Sequence, residues 1–319
     1  MKENERPSSA ALTLAFATVY LVWGSTYLAI QYAIATVPPL YMAGVRYVLA
    51  GLILLVYGFV TRAPKASLTQ WRTCAIVGGL MLTCGNGAVT WAEQRVPSGL
   101  TALLLATVSL WIVLLNWGFG TRAKPTASQT GGLLIGLAGI ALLVLPSRHD
   151  LLGKGVDVLG ACVVLAGALS WASGTMYARG AVLPSSPWMT NGAEMLAGGV
   201  FLVIAGAVGG EKMHLSAVST QSLLAFAYLV VFGSVVAFSA YTWLIKATTP
   251  ARLGTYAYVN PAVAVLLGAV IAGEPVTPRA LLAMFLILSG VVMLSLVRKP
   301  REAPAVGVSV EQCQASLAE

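Results

Sequence analysis

From Pro7 to Val45 the chain carries no acidic or basic residue, and shorter uncharged apolar runs recur as far as Val297. A helix needs about 20 apolar residues to cross the hydrocarbon core of a bilayer, and within lipid it satisfies its backbone hydrogen bonds internally. The runs predict ten membrane-spanning helices, over 12–34, 40–60, 74–91, 100–119, 130–145, 158–177, 187–208, 223–244, 256–272 and 280–297. Composition agrees: hydrophobic residues make up 58% and charged residues 9%, against roughly 45–50% and 25% in an ordinary globular chain. Thirty charges cannot solvate the surface of a 319-residue soluble fold. A cytosolic enzyme, a disordered chain and a secreted disulfide scaffold are excluded. The fold class is all-α and polytopic.

The formal net charge of +8 is not the footprint of nucleic-acid binding, which clusters its basic residues on one face. Here Lys and Arg are scattered between apolar runs, the pattern that orients a membrane protein. With the N-terminus in the cytoplasm, thirteen basic residues fall on the cytoplasmic side and five on the other, with Arg46 inside a span. Both termini are therefore expected in the cytoplasm. The first run is too long for a signal-peptide core and lacks a convincing small-residue cleavage site, so it reads as an uncleaved span. Cys74, Cys84 and Cys162 lie in apolar runs and read as small buried hydrophobes, while Cys313 lies in the polar tail. His149 and His214 fall in connections, so no metal site and no cofactor is expected.

The two halves of the chain are alike. Val37 to Arg46 aligns with Ser185 to Glu194 at a shift of 148, and the same shift places Trp23 on Trp171. Trp91 and Pro97 correspond, with small insertions, to Trp243 and Pro250. The expected division is a tail over 1–11, a first repeat over 12–150, a second over 151–297 and a tail over 298–319. Five helices per repeat is an odd number, so the second repeat enters the membrane inverted. That construction is frequent in secondary transporters, where exchange between two similar halves opens a central site to either side.

Several segments carry a more specific signal: Trp23-Gly24-Ser25-Thr26-Tyr27, Pro38-Pro39 with Ala43-Gly44-Val45-Arg46, and Gly85-Asn86-Gly87 followed by Trp91-Ala92-Glu93. In the second half they are Pro250-Ala251, Tyr256-Ala257-Tyr258-Val259-Asn260-Pro261 and Gly273-Glu274-Pro275. On these the chain resembles the drug/metabolite transporter superfamily, and within it the EamA-type ten-helix transporters of the bacterial inner membrane. The resemblance covers about residues 10–298. It implies a basket of helices around a central cavity, with the fifth and tenth helices outermost, and export of amino acids or other small metabolites. One departure is visible: Thr107-Val108-Ser109-Leu110 stands where the family usually has a proline, so Pro261 lacks its symmetric partner.

Arg46 is the sharpest single feature. A charge near the bilayer centre costs about 2.5–3.5 kcal/mol on insertion scales and normally faces a cavity or a partner. It reads as an anchor for a solute carboxylate or as one side of a gate; a tie to backbone carbonyls is the structural alternative. Glu194 is its repeat counterpart, at a different depth because of the inversion, and reads as a hydrogen-bonded structural carboxylate or a proton-coupling one. Glu93 and Glu274 lie at span edges within reach of water, Glu93 with a possible gating role and Glu274 shaping a helix end. Trp23, Trp91, Trp171 and Tyr256 are interior aromatics able to stack on cargo. Asn86 sits between two glycines as a polar contact, and Asn260-Pro261 reads as a hinge, because proline frees a carbonyl one turn earlier. Gly132 and Gly136 have the spacing of a helix-packing motif, which permits a homodimer and fits packing within one chain better.

These residues point to a secondary transporter for small organic solutes working by alternating access, and the resemblance implies that it is an exporter. The expected partners are the solute, membrane lipid and, through Glu194, protons. A channel-like or structural membrane subunit is the alternative. No nucleotide-binding loop and no catalytic motif appears, so neither ATP-driven transport nor enzymatic activity is expected. Facilitated and ion-coupled transport are both compatible with the sequence.

Overall fold

The computed structural model describes residues 8–119, 126–145, 157–248 and 255–295. Ten helical spans run through them: α1 (Ser9–Ala33), α2 (Pro39–Val60), α3 (Leu68–Ala92), α4 (Ser98–Gly118), α5 (Ala127–Val144), α6 (Val158–Gly180), α7 (Pro187–Val208), α8 (Thr220–Leu244), α9 (Tyr256–Ala272) and α10 (Pro278–Ser295). The eight from α1 to α8 are long and apolar enough to cross a membrane, and α9 and α10 are shorter apolar helices. The outward surface carries Leu, Val, Ile and Phe, among them Leu14, Val60, Leu224, Val270 and Phe285. The chain is a polytopic membrane protein, turned apolar side out because its solvent is lipid. The remainder of both tails, the boundary at 150/151, Pro250-Ala251, His149 and Cys313 lie outside the described residues.

The repeat appears in the contacts. The most extensive interface joins α2 to α7, counterparts at the shift of 148, and the next joins α5 to α10. Across the halves, α1 packs on α8 and α9, and α6 packs correspondingly on α3 and α4. Small residues bring α2 and α7 together. A Cβ added at Gly51 would stand 2.6 Å from the Leu196 nitrogen and 2.8 Å from the Gly192 oxygen. One added at Gly199 would stand 2.7 Å from the Val48 nitrogen. Gly44 and Gly51 are the repeat counterparts of Gly192 and Gly199, so the crossing is self-complementary about a pseudo-two-fold axis. Without a hydrophobic drive between helices in lipid, such close backbone approach is what holds them. The glycine motif of α5 is used within the chain as well: a Cβ at Gly290 of α10 would stand 2.8 Å from the Gly136 nitrogen.

The helix starts show how each end is stabilised. Ser8, Ser67, Thr126, Asp157 and Ser219 cap α1, α3, α5, α6 and α8 through their own side chains. Helix α1 therefore begins at Ser9, earlier than the expected tail boundary, because Ser8 supplies a cap. Helix α3 starts at Leu68 rather than at Cys74, because Ser67 and Gln70 form a capping box ahead of the apolar run. Cys74 is buried, whereas Cys84 and Cys162 are exposed and are not the buried hydrophobes expected.

Two irregularities interrupt regular α geometry. Helix α3 is a π-helix over Gly79–Asn86, and α8 is one over Leu229–Val236. They occupy corresponding places in the two repeats. Helix α4 breaks at Ala106–Thr107, between Ser98–Leu105 and Val108–Gly118. The Thr107 hydroxyl donates to the Leu104 carbonyl at 2.6 Å and the Thr107 N–H reaches the same oxygen at 3.2 Å, tightening the turn. The break thus falls in the half that lacks the proline. Pro261 lies inside α9, which remains a continuous helix.

Candidate functional site

The polar interior is assembled where α1, α2, α3, α8 and α9 meet. Arg46 projects from α2 with 3% of its surface exposed. Its Nε donates to the Ser234 hydroxyl at 2.9 Å, inside the π-helical segment of α8. Its guanidinium carbon lies 4.8 Å from the centroid of the Tyr47 ring. Nη1 is buried and has no hydrogen-bond partner. Arg46 is therefore tied down by one hydroxyl and one aromatic face, with donor capacity left over.

Trp23 of α1 donates its indole N–H to the Gly233 carbonyl at 3.2 Å, one residue from Ser234. Its ring packs against Tyr241 at 5.1 Å, Phe238 at 5.2 Å and Tyr256 at 5.5 Å between centroids. Trp171 stands in the corresponding relation to α3: a Cβ added at Gly85 would lie 3.0 Å from its ring. Gly85 and Gly233, like Trp23 and Trp171, are 148 residues apart. Each repeat therefore sets a tryptophan from its first helix on the π-helical segment of the other repeat.

Glu93 follows α3 and is 4% exposed. It does not sit in water at a span edge as expected, because the chain folds it inward before turning into Val96 and Pro97. Both carboxylate oxygens are buried without a hydrogen-bond partner. Arg46 is within electrostatic reach of Glu93, yet no nitrogen of the one lies within 4.0 Å of an oxygen of the other. Tyr27 of α1 packs against the cluster of Met42, Val89 and Leu229 and is in electrostatic reach of Glu93, Tyr47 and Tyr256.

Glu194 is elsewhere. It lines a separate cleft with Asn191, Trp171, Met81 and Phe238, and Asn191 donates its amide to Thr242 at 3.1 Å. Phe238 touches Trp23 and lines this cleft as well, so it joins the two regions. Asn86 accepts from Thr90 through its carbonyl at 2.9 Å and closes the π-helical segment of α3. Asn260 is buried, with an unpartnered Oδ1 and its backbone oxygen close to Gly24. Trp91 packs in the hydrophobic cluster of Leu103, Leu104 and Ala161 and carries Arg95 over its ring at 5.1 Å; it is not part of the central group. The structure thus brings Trp23, Arg46, Glu93 and Tyr256 together and places Trp171 and Glu194 beside them. Sequence reasoning missed Tyr27, Ser234, Phe238 and Tyr241 as members of the group.

Two carboxylates cap helix starts at one end of the bundle. Helices α2 and α4 begin after Pro38 and Pro97, which have no capping side chain. Glu211 accepts from the Leu40 and Tyr41 N–H groups, both at 3.0 Å. Glu274 accepts from the Ser98 N–H and hydroxyl at 2.7 Å and from the Gly99 N–H at 3.0 Å. Gly273, at φ 66°, ends α9 in the left-handed turn that sends Glu274 back toward α4. Asp157 adds an ion pair to Arg95 at 3.6 Å. The second repeat therefore supplies the charges that satisfy helix starts of the first.

Among the described residues no group of three or more His, Cys, Asp or Glu side chains could hold a metal ion. The comparisons with known proteins fit the arrangement. The chain is 40% identical over 294 residues to the uncharacterized inner membrane transporter YedA of Escherichia coli K12, covering 90% of this chain and 93% of that one. It is 24% identical to the uncharacterized transporter YvbV of Bacillus subtilis 168, covering 95% and 97%. It is 25% identical to a probable amino-acid metabolite efflux pump of E. coli K12, covering 85% and 90%. A solved crystal structure shares the fold with a TM-score of 0.59 at 20% identity, over 90% of this chain and 96% of that one. Residues 10–145 and 158–296 each match the EamA-like transporter family, so the chain, built of two copies of that unit, belongs to the EamA-like transporter family and is a membrane transporter.

Proposed function

We propose that the protein is a secondary exporter of small organic solutes, amino acids and related metabolites among them, working by alternating access across the bacterial inner membrane with both termini in the cytoplasm. The observation that carries this reading is the buried, incompletely partnered Arg46 at the meeting of both repeats. A desolvated cation with a free donor is costly unless something polar engages it, and a solute carboxylate or carbonyl does so. Trp23, Tyr256 and Trp171 supply aromatic faces for the rest of the cargo, and Asn86 and Asn260 supply amide groups near the pathway. Exchange between the two repeats, whose interfaces are self-complementary, supplies the motion. Support for small metabolites as cargo comes from the likeness to the probable amino-acid metabolite efflux pump of E. coli K12.

The test is efflux of radiolabelled amino acids and related metabolites from liposomes holding the purified protein, with and without a pH gradient. Saturable efflux that Arg46→Ala removes in a monodisperse preparation is the expected result. Gradient-driven accumulation that Glu194→Gln abolishes assigns proton coupling to Glu194; accumulation that survives the change assigns it elsewhere. Non-saturable flux contradicts the carrier reading and favours a channel.

A further inference from the structure

A cleft of about 290 Å³, counted out to its mouth, lies between α3, α6, α7 and α8. Among the described residues that line it, Glu194 is the one charged side chain, with Asn191, Trp171, Phe238, Met81 and Met195 around it. Glu194 stands seven positions after Pro187, the first residue of α7, about 10 Å along the helix, where an unanswered charge is costly. Among the described residues its carboxylate makes no ion pair and no hydrogen bond. Asn191 commits an amide N–H to Thr242, which leaves its carbonyl oxygen to accept. The cleft therefore offers acceptors and aromatic faces and brings no cation of its own. Its counterpart in the other repeat is filled. At the shift of 148, Glu194, Trp171 and Met195 correspond to Arg46, Trp23 and Tyr47. There Arg46 bonds Ser234, Trp23 bonds the Gly233 carbonyl, and the guanidinium lies over Tyr47. Glu194, Asn191 and Trp171 are instead only half-buried.

We propose that this cleft recognises organic cations: the ammonium of a solute lies against the Glu194 carboxylate, and its apolar body lies against Trp171, Phe238 and Met81. A hard inorganic cation needs several oxygen ligands. Here one carboxylate and one amide supply them, and the other named walls are aromatic faces and thioethers. An aromatic face attracts a cation that has shed its water, and the thioethers of Met81 and Met195 adapt to apolar bodies of different shape. A neutral relative of the solute leaves Glu194 unanswered, and an anion meets a like charge. The site thus selects first by charge and only then by skeleton. Phe238 also packs on Trp23, so the cleft adjoins the group around Arg46. This inference rests on the reading of the chain as a carrier of small solutes. It adds the class of cargo, solutes bearing an ammonium group, and the residues that select it.

The experiment is calorimetric titration of the purified full chain in uncharged detergent at pH 8, with protein-free micelles as the blank. Two matched sets of probes are used: phenethylamine, phenethyl alcohol and hydrocinnamate, and isoamylamine, isoamyl alcohol and isocaproate. In at least one set the amine is expected to bind tenfold or more tightly than both the alcohol and the acid. Glu194→Gln is expected to bring the amine down to the affinity of its alcohol and to leave the alcohol unchanged. Should that variant fail to fold, Trp171→Leu takes its place, and is expected to weaken the amine threefold or more while the alcohol changes less. An alcohol or acid that binds as well as its amine in both sets overturns the proposal, as does an amine affinity that the substitution leaves intact. Failure of both amines to bind overturns it too. Saturable liposome efflux of other solutes by that same preparation then leaves the carrier reading standing without this site. Amine binding by a preparation that moves no solute sustains the site and removes the carrier.

Discussion

Glu274 shows how one side chain does the work of a cap in a helix that cannot cap itself. Pro97 offers no side-chain acceptor, so the first N–H groups of α4 take a carboxylate from the loop after α9. Glu274→Ala should lower stability by about 1–2 kcal/mol, the usual worth of a cap with a charge at a helix start. Glu274→Gln, which keeps an acceptor and loses the charge, should cost less; thermal unfolding in detergent, followed by tryptophan fluorescence, checks the order. Arg46→Lys should not rescue Arg46→Ala in efflux, because an ammonium cannot bond Ser234 through one nitrogen and present a second donor in the fixed fork of a guanidinium. Equal efflux by Arg46→Lys and the parent would show that only the charge matters. Of this group, Arg46, Trp23 and Tyr256 were legible in the sequence as a charge or aromatics inside apolar runs, and Glu93 as a charge at a span edge. Tyr27 and Tyr241 were not, since one more tyrosine in such a run looks like packing until a neighbour from another helix arrives. The burial of Glu93 was also illegible, because it depends on how the chain turns after α3.

At the scale of the helix, ends delimited by proline or by a clear change of polarity were read to the residue: Pro187–Val208 and Tyr256–Ala272. The start of α3 was not, because the capping box at Ser67 lies in a polar segment. Neither π-helical segment was predicted. A π turn depends on side chains from a neighbouring helix that hold the extra residue in place, and in a single sequence only Gly85-Asn86-Gly87 marked one of the two. The α2–α7 crossing yields a direct prediction. Gly51→Ala places a methyl against the backbone of α7 and should destabilise the protein by about 1–3 kcal/mol as overpacking. Gly180→Ala, with nothing within 4 Å of the added carbon, should leave the thermal midpoint where it is. Equal midpoints for the two variants would contradict the close approach of α2 and α7.

At the scale of the molecule, an odd number of helices per repeat makes the two halves run in opposite senses, and this much was legible from counting apolar runs and charges. On the distribution of Lys and Arg we propose that both termini lie in the cytoplasm. A C-terminal fluorescent-protein fusion should therefore fluoresce, and a C-terminal alkaline phosphatase fusion should be inactive; active phosphatase would reverse the orientation. The distribution of carboxylates was not legible at this scale. Glu211, Glu274 and Asp157 satisfy helix starts of the first repeat or pair across to it at one end of the bundle, where α2 and α4 have no capping side chain of their own. We propose that this end and the buried polar interior belong to one cycle of alternating access. Counterflow tests it most directly: liposomes are loaded with an excess of an unlabelled solute that passes the efflux assay, and a trace of the labelled form is added outside. Alternating access predicts a transient accumulation of label inside above its equilibrium level, absent in Arg46→Ala. Label that rises to equilibrium without overshoot, at a rate indifferent to the internal solute, would contradict it.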